Sequence, residues 1–280
     1  LNTDRAVKLF LTEYSYLGMA PKTIEHYRWS LNKLARAHKR LPTSREPVMR
    51  LINPGHLAPQ SRVGLWRDYS RFWRWLALRH GLPNVMLDVP RPRIRRILPQ
   101  VLQASDVERI LAACRSRRDR AMISVFLDTG IRSGELAGLS WSNIGADGIR
   151  VDGKTGQRLV PLSPHVRQLL VGLGGASDIW TGARGRLGNW GVQQAVRRIL
   201  YRAGLTAGKA GPHVLRHTFA TEYVRGGGNL RVLQTILGHT DLKTTMIYVH
   251  LAQGDIAADH AAHSPMANIR LVHPKSALEA

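Results

Sequence analysis

The chain has 280 residues, room for about two modest domains with separate cores, and its 44% hydrophobic share excludes a wholly disordered polymer. Its 41 Lys+Arg against 19 Asp+Glu leave a net charge of +22, a self-repulsion that asks for a polyanionic partner, nucleic acid first and an anionic membrane surface second. The single cysteine, Cys114, excludes an internal disulfide and a cysteine-based metal cluster, and its place after Ile110 and Leu111 reads as a small buried hydrophobe.

Basic charge is spread along the chain: 19 Lys+Arg against 6 Asp+Glu in residues 1–103, and 22 against 13 in 104–280. This favours a protein that grips a duplex from two sides. No apolar run is long enough to span a bilayer and residues 1–30 show no signal-peptide core, so the expectation is a soluble cytoplasmic protein with no membrane partner.

From Asp4 to about Gly81 the pattern is helical. Thr23 is the expected cap of a helix carrying Ile24, Tyr27, Leu31 and Leu34 at spacings of three and four. A second helix, Ser61 to His80, has an apolar stripe of Val63, Trp66, Tyr69, Trp73 and Leu76 and another face bearing Arg67, Arg71 and Arg74, candidates for phosphate contact. Prolines and arginines from Val89 to Pro99 predict a basic linker, in which Arg91, Arg93, Arg95 and Arg96 could follow a DNA backbone.

A second helical region opens near Ser105, the expected N-cap. A short β-hairpin interrupts it: Gly148 to Val151, turn chemistry over Asp152 to Gly156, then Gln157 to Leu162. Helices resume from His213 to Arg225 and from Leu230 to Leu237, the latter capped by Asn229 and stopped by Gly238. Thr240 is expected to open another that carries Met246, Tyr248 and Val249, and an Ala-rich tail follows from about Asp255.

Breaking a phosphodiester needs fixed cations for the charge that builds on its oxygens, a hydroxyl nucleophile and an acid for the departing oxygen. The second half supplies all three. Arg132 sits between Gly130 and Gly134 at a helix-to-helix turn, with Glu135 close enough to orient it; Lys154 is at the hairpin tip; His213 and Arg216 share a face near a helix start, where the dipole favours an anion. His217 reads as an internal hydrogen-bonding residue, and no third ligand accompanies His213 and His217 at metal-site spacing. His239 lies in a Gly-His turn, nine residues before Tyr248.

Each fragment alone is an ordinary surface or core residue. Together and in this order, TGIRSGELAGLSW, KTGQRLVPL, HVLRHTFAT, LGH and Tyr248 resemble the tyrosine recombinase, or phage integrase, family. The resemblance spans about Ser105 to Tyr248. It implies a mainly α fold: a helical N-terminal core DNA-binding domain (1–88), a linker (89–104), a mostly helical catalytic domain with a small antiparallel β-sheet (105–255) and a tail (256–280) that docks on a neighbouring protomer or is disordered.

It also implies that Tyr248 forms a 3′-phosphotyrosyl link. Arg132, Arg216 and His239 would hold the phosphate, Lys154 would protonate the leaving 5′ oxygen, and His213 would act in proton transfer. Glu135 and His217 would support them. No cofactor or metal is implied. The partners would be duplex DNA with a specific core site, three further copies in a tetramer assembled on DNA, and an accessory directionality factor. Integration of a phage or mobile element is the favoured role. Resolution of chromosome or plasmid dimers, strand relaxation of the type IB topoisomerase kind, and DNA binding without cleavage remain open alternatives.

Overall fold

The computed structural model describes residues 1–94, 98–153, 156–174, 178–183, 185–205 and 211–252, with 260 and 264. The backbone divides into two compact units, Leu1–Ile97 and Leu98–Ala280. Among the described residues no helix is long and apolar enough to cross a membrane.

The first unit holds α1 (Thr3–Tyr16), α2 (Pro21–Ala37), α3 (Arg45–Ile52) and α4 (Pro59–His80), then a 3-10 turn at Val85–Asp88. Asn2 caps α1 by accepting the Arg5 N–H. The expected Thr23 cap is corrected: α2 begins at Pro21 and α4 at Pro59, because a proline in the first turn has its φ already set and needs no N–H partner. Gly81 ends α4 in the left-handed region at φ 61.

The core of this unit is aromatic. Phe10, Tyr69, Phe72, Trp73, Leu31, Leu34 and Leu76 are fully buried, each contributing about 1.5–3 kcal/mol relative to exposure. The buried stripe of α4 is wider than its sequence suggested, taking in Leu65, Phe72 and Trp75. Arg67, Arg71 and Arg74 stand on the exposed face.

The second unit holds α5 (Ala104–Ala112), α6 (Arg117–Thr129), α7 (Ser133–Gly138), β1 (Ile144–Gly145), β2 (Gly148–Gly153), β3 (Gly156–Val160) and α8 (Pro164–Val171). After these come β4 (Thr181–Gly182), β5 (Gly185–Arg186), α9 (Asn189–Arg202), α10 (Pro212–Arg225), α11 (Leu230–Leu237) and α12 (Leu242–Ala252). The fold is mostly helical with a small antiparallel sheet, ordered β1-β2-β3. Ile149 pairs with Val160 and Val151 with Arg158, and the ladder runs on to Gly153 opposite Gly156, further than turn chemistry alone predicted.

Two expected caps shift. α5 starts at Ala104 rather than after Ser105, and the Asp106 carboxylate takes the Gln103 N–H at 3.2 Å. α12 opens after Asp241, whose carboxylate accepts the Lys243 N–H at 2.9 Å, so Asp241 does what was expected of Thr240. A carboxylate at a helix start gains from the dipole as well as the hydrogen bond. Asn229 caps α11 as its sequence indicates, accepting from Arg231 and Val232.

Met122, Phe126, Ile131, Leu136, Ile149, Val160, Trp180, Val196 and Leu215 form the centre of the second core. A smaller cluster of Ala220, Leu233, Leu237 and Tyr248 lies where α10, α11 and α12 meet. Cys114 is half-buried, its thiol donating to the Ile110 carbonyl, and burial pushes its pKa up to about 11, which leaves it unreactive at neutral pH.

Candidate active site

The C-terminal end of α11 organises the site. A helix leaves its last carbonyls without partners inside the helix, and its dipole makes that end negative. Here three successive carbonyls each accept from a different arginine. Arg158 Nε donates to Ile236 at 2.8 Å, Arg216 Nη2 to Leu237 at 2.8 Å, and Arg132 Nη2 to Gly238 at 3.1 Å. The three come from β3, α10 and the turn before α7.

Glu135, buried on α7, gathers two of them. Its carboxylate takes both Nη atoms of Arg158 at 2.9 Å, Arg132 Nη1 at 3.0 Å and the Arg132 backbone N–H at 2.8 Å. Burial raises the pKa of this acid, but the hydrogen bonds from Arg158 and Arg132 and the charge of Arg158 outweigh it, and the pKa ends below the usual value. Gly153, the last residue of β2, lies against the same carboxylate: a Cβ there would sit 2.6 Å from Oε1.

Arg216 is 5% exposed. Its Nη1 donates to the Gly130 carbonyl at 2.6 Å, and its Nη2 reaches His239 Nε2 at 2.9 Å as well as Leu237. Burial and the charge of Arg132 bring its pKa down to about 10, so it stays cationic at neutral pH. Since arginine only donates, His239 Nε2 accepts; the neutral ring then carries its proton on Nδ1 and donates to Thr245 Oγ1 at 2.9 Å. Burial, then Arg216 and Arg132, push His239 down to about 4, which keeps that ring neutral.

Tyr248 is 2% exposed on α12. Its ring stacks on His239 with centroids 6.4 Å apart and planes 12° from parallel. Its hydroxyl lies 3.1 Å from His217 Nδ1. Burial raises the phenol's pKa, while Arg216 and Arg132 pull against it. Burial, then His213 and Arg216, push His217 down to about 4.

Arg132, Glu135, Arg216, His217, His239 and Tyr248 therefore come together. His213 sits exposed in the first turn of α10, three residues before Arg216, its pKa lowered by partial burial and then by Arg216 and Arg132. Among the described residues the imidazole within hydrogen-bonding reach of the Tyr248 hydroxyl is that of His217. Lys154, Arg95, Arg96 and the tail from Asp255, apart from His260 and Ser264, lie outside the described residues.

In the first unit, Arg71 Nη1 donates to the Tyr27 hydroxyl at 3.1 Å, Arg91 lies over the Trp66 ring at 6.0 Å, and Arg67, Arg74 and Arg93 are exposed.

Two residues escaped the sequence reading. Arg158 occurs within a quoted motif without being singled out, yet its place two before Val160 puts a charge on the strand's inward face, which is a readable signal. Thr245 is fully buried, and its sequence carries no sign of the His239 contact.

Three guanidiniums around one carboxylate leave unbalanced positive charge beside a buried tyrosine hydroxyl, a setting made for an anion that the tyrosine can attack. Residues 100–254 match the phage integrase family. The chain belongs to that family. It is a tyrosine site-specific recombinase, and its similarity to relatives extends beyond the matched region. It is 32% identical to tyrosine recombinase XerC of Erythrobacter litoralis, over 86% of this chain and 85% of that protein. It is 31% identical to tyrosine recombinase XerD of Vibrio cholerae, over 89% and 92% respectively. The fold matches a lambda integrase dimer bound to a COC′ core site, with a TM-score of 0.75 at 19% identity, covering 87% of this chain and 97% of that one.

Proposed function

We propose that this recombinase cuts and rejoins duplex DNA at a specific core site by direct attack of Tyr248 on phosphorus. One observation carries the reading: the Tyr248 hydroxyl is buried beside an arginine cluster whose positive charge exceeds that of its one carboxylate. Arg132 and Arg216 bind the non-bridging oxygens with His239 beside them, and His213 acts in proton transfer near the nucleophile. Glu135 holds Arg132 in place, and Lys154 protonates the leaving 5′ oxygen. The 3′-phosphotyrosyl bond stores the energy of the broken one, so rejoining draws on neither ATP nor a metal.

Residues 1–88 serve as the core DNA-binding domain, with Arg67, Arg71, Arg74 and the arginines of 89–104 along the phosphate backbone. Four protomers assemble on two duplexes in the bacterial cytoplasm, the tail from 256 docking on a neighbour. The structure of a lambda integrase tetramer on a Holliday junction, which shares the fold, supports that assembly. The role is insertion and excision of a mobile element with a directionality factor. Resolution of chromosome or plasmid dimers is the second reading, favoured by the match to XerC and XerD along most of the chain.

The test is to incubate the protein and Tyr248→Phe with nicked DNA from around its own gene, without added ATP or metal. A denaturant-resistant adduct with the unaltered protein alone is the expected result. Tight binding without adduct across many substrates would leave only the non-catalytic alternative.

A further inference from the structure

We infer that the groove between α2 and α4 of the first unit is a sequence-reading seat for duplex DNA, which comes closest at Gly64 and meets His26 and Trp29 there. This rests on the reading that residues 1–88 bind the core site, and it says where and with what chemistry. The groove is a cavity of about 640 Å³ lined from both helices.

Gly64 is the observation that carries it. It lies in the second turn of the 22-residue α4, where glycine is the worst helix former after proline. The packing gives no reason for it. Its φ is outside the left-handed region, and among the described residues no atom lies within 4 Å of where a Cβ would stand. A glycine that the helix disfavours and the core does not need is explained by something outside the chain approaching the backbone.

The groove walls carry groups suited to base edges. Asp68 is 2% exposed, and its Oδ2 lies 2.9 Å from His26 Nε2. That contact fixes the half-exposed imidazole, and among the described residues no hydrogen bond claims its Nδ1. Trp29 is 55% exposed, stacked on His26 with centroids 6.5 Å apart, while Lys33 Nζ sits 3.8 Å over the indole. The imidazole can hydrogen-bond a base, and the indole can cover a thymine methyl. Glu25, an exposed acid of the lining, can accept from a cytosine amine, a contact that reads sequence.

Charge selects DNA as the occupant. Lys22 and Gln60 line the groove from the first turns of α2 and α4, which open on Pro21 and Pro59. Among the described residues no side chain caps either helix, so two positive dipole ends and free first-turn N–H groups suit a phosphate. With 19 Lys+Arg against 6 Asp+Glu in residues 1–103, this part of the chain attracts a polyanion and repels a second copy of itself.

The experiment titrates the full chain against two duplexes, one that it selects from a random-sequence pool and a scrambled one of the same composition. Alanine and leucine favour a helix over glycine, so neither Gly64→Ala nor Gly64→Leu should lower Tm, and Ala should raise it by about 1–4 °C. Affinity for the selected duplex should nevertheless fall about 5- to 150-fold for Ala, and further for Leu. Trp29→Ala and His26→Gln, the latter still able to donate to Asp68, should lose affinity for the selected duplex and little for the scrambled one. Lys22→Gln should weaken both alike and make the log–log salt slope shallower by about 1.

Unchanged affinity in Gly64→Leu, a loss in Gly64→Ala that comes with a lower Tm, or equal losses on both duplexes for Trp29→Ala would each overturn the proposal. Intact affinity with an altered oligomeric mass in Gly64→Leu would give the groove to a second copy instead. An Arg67→Gln/Arg74→Gln variant separates the two levels of failure. If it weakens binding while the groove variants do not, only the groove assignment falls; if it too is silent, the reading of residues 1–88 falls with it.

Discussion

Arg158→Met tests whether the arginine cluster is held together from beneath. The side chain is 9% exposed, and replacing it with an apolar chain of similar length strips three hydrogen bonds, two from Glu135 and one from Ile236. Removing one member of a buried ion pair costs about 3–5 kcal/mol, because the other charge is left without compensation. Arg132 still pairs with Glu135, which places the expected loss at about 3 kcal/mol, the low end of that range. For a unit of this size that is a fall in Tm of roughly 6–12 °C, at about 2–4 °C per kcal/mol.

Calorimetry or circular dichroism on the full chain reads it, and a double-mutant cycle with Glu135→Gln isolates the pair. The double variant should be more stable than the sum of the singles predicts. Acid adds a second reading. The Glu135 pKa is lowered in the folded state, so its ionisation stabilises the fold above the unfolded value near 4.5, and that contribution is lost as pH falls through the folded value. The gap between the unaltered protein and Arg158→Met should therefore narrow below pH 4.5. A Tm change under about 2 °C, or strictly additive singles, would refute the reasoning, since the expected loss corresponds to several degrees.

Gly238→Ala should lower stability by about 1–2 kcal/mol for its left-handed φ of 61 alone. Its Cβ would also meet Arg158 Nη1 at 2.9 Å, so cleavage should fall more than stability does, read by adduct formation beside a melting curve. His217 and His239 titrate at about 4 in the fold against 6.5 when free, so the unfolded chain binds more protons between those values. Stability should be level above pH 6.5 and fall toward pH 4, by about 1–2 kcal/mol per ring once solvent screening of these half-buried groups is allowed for. Urea melts across that range should show the fall, and His217→Gln should roughly halve it, leaving the His239 share; a pH-independent midpoint would contradict the buried neutral rings. DNA affinity should fall steeply with salt, with a log–log slope of about −7 if about eight phosphates are neutralised. A slope near zero would remove the case for a two-sided grip.

Much of the second unit was legible because glycine and asparagine punctuate it. Gly130 and Gly238 end helices in the left-handed region, and Asn229 begins one, so the segments carrying Arg132, His239 and Tyr248 could be placed from local chemistry. Helix starts were less legible where several residues compete. Pro21 outranks Thr23, and Asp241 outranks Thr240, because pre-set φ and a carboxylate against the dipole are each worth as much as a hydroxyl cap.

Contacts across long stretches of chain were beyond local reasoning. Arg132 meets Gly238 across 106 residues, through a carbonyl that any residue would provide. Which histidine reaches Tyr248 was hidden for a related reason. His213 and His217 are four apart on one helix, and only the packing of α10 against α12 decides between them.

The end of α11 has a consequence for how this protein can change. Carbonyl oxygens belong to the peptide, not to the residue, so the acceptors at Ile236 and Leu237 persist through any substitution that keeps the helix and its buried side chains. The cation spacing is thus written in the pitch of a helix rather than in particular side chains. Sequences here can drift, provided that an apolar residue fills each buried position and that 238 stays glycine. Insertion or deletion of a single residue within Leu230–Leu237 is another matter. It would rotate the terminal carbonyls by about 100° and set all three arginines adrift at once.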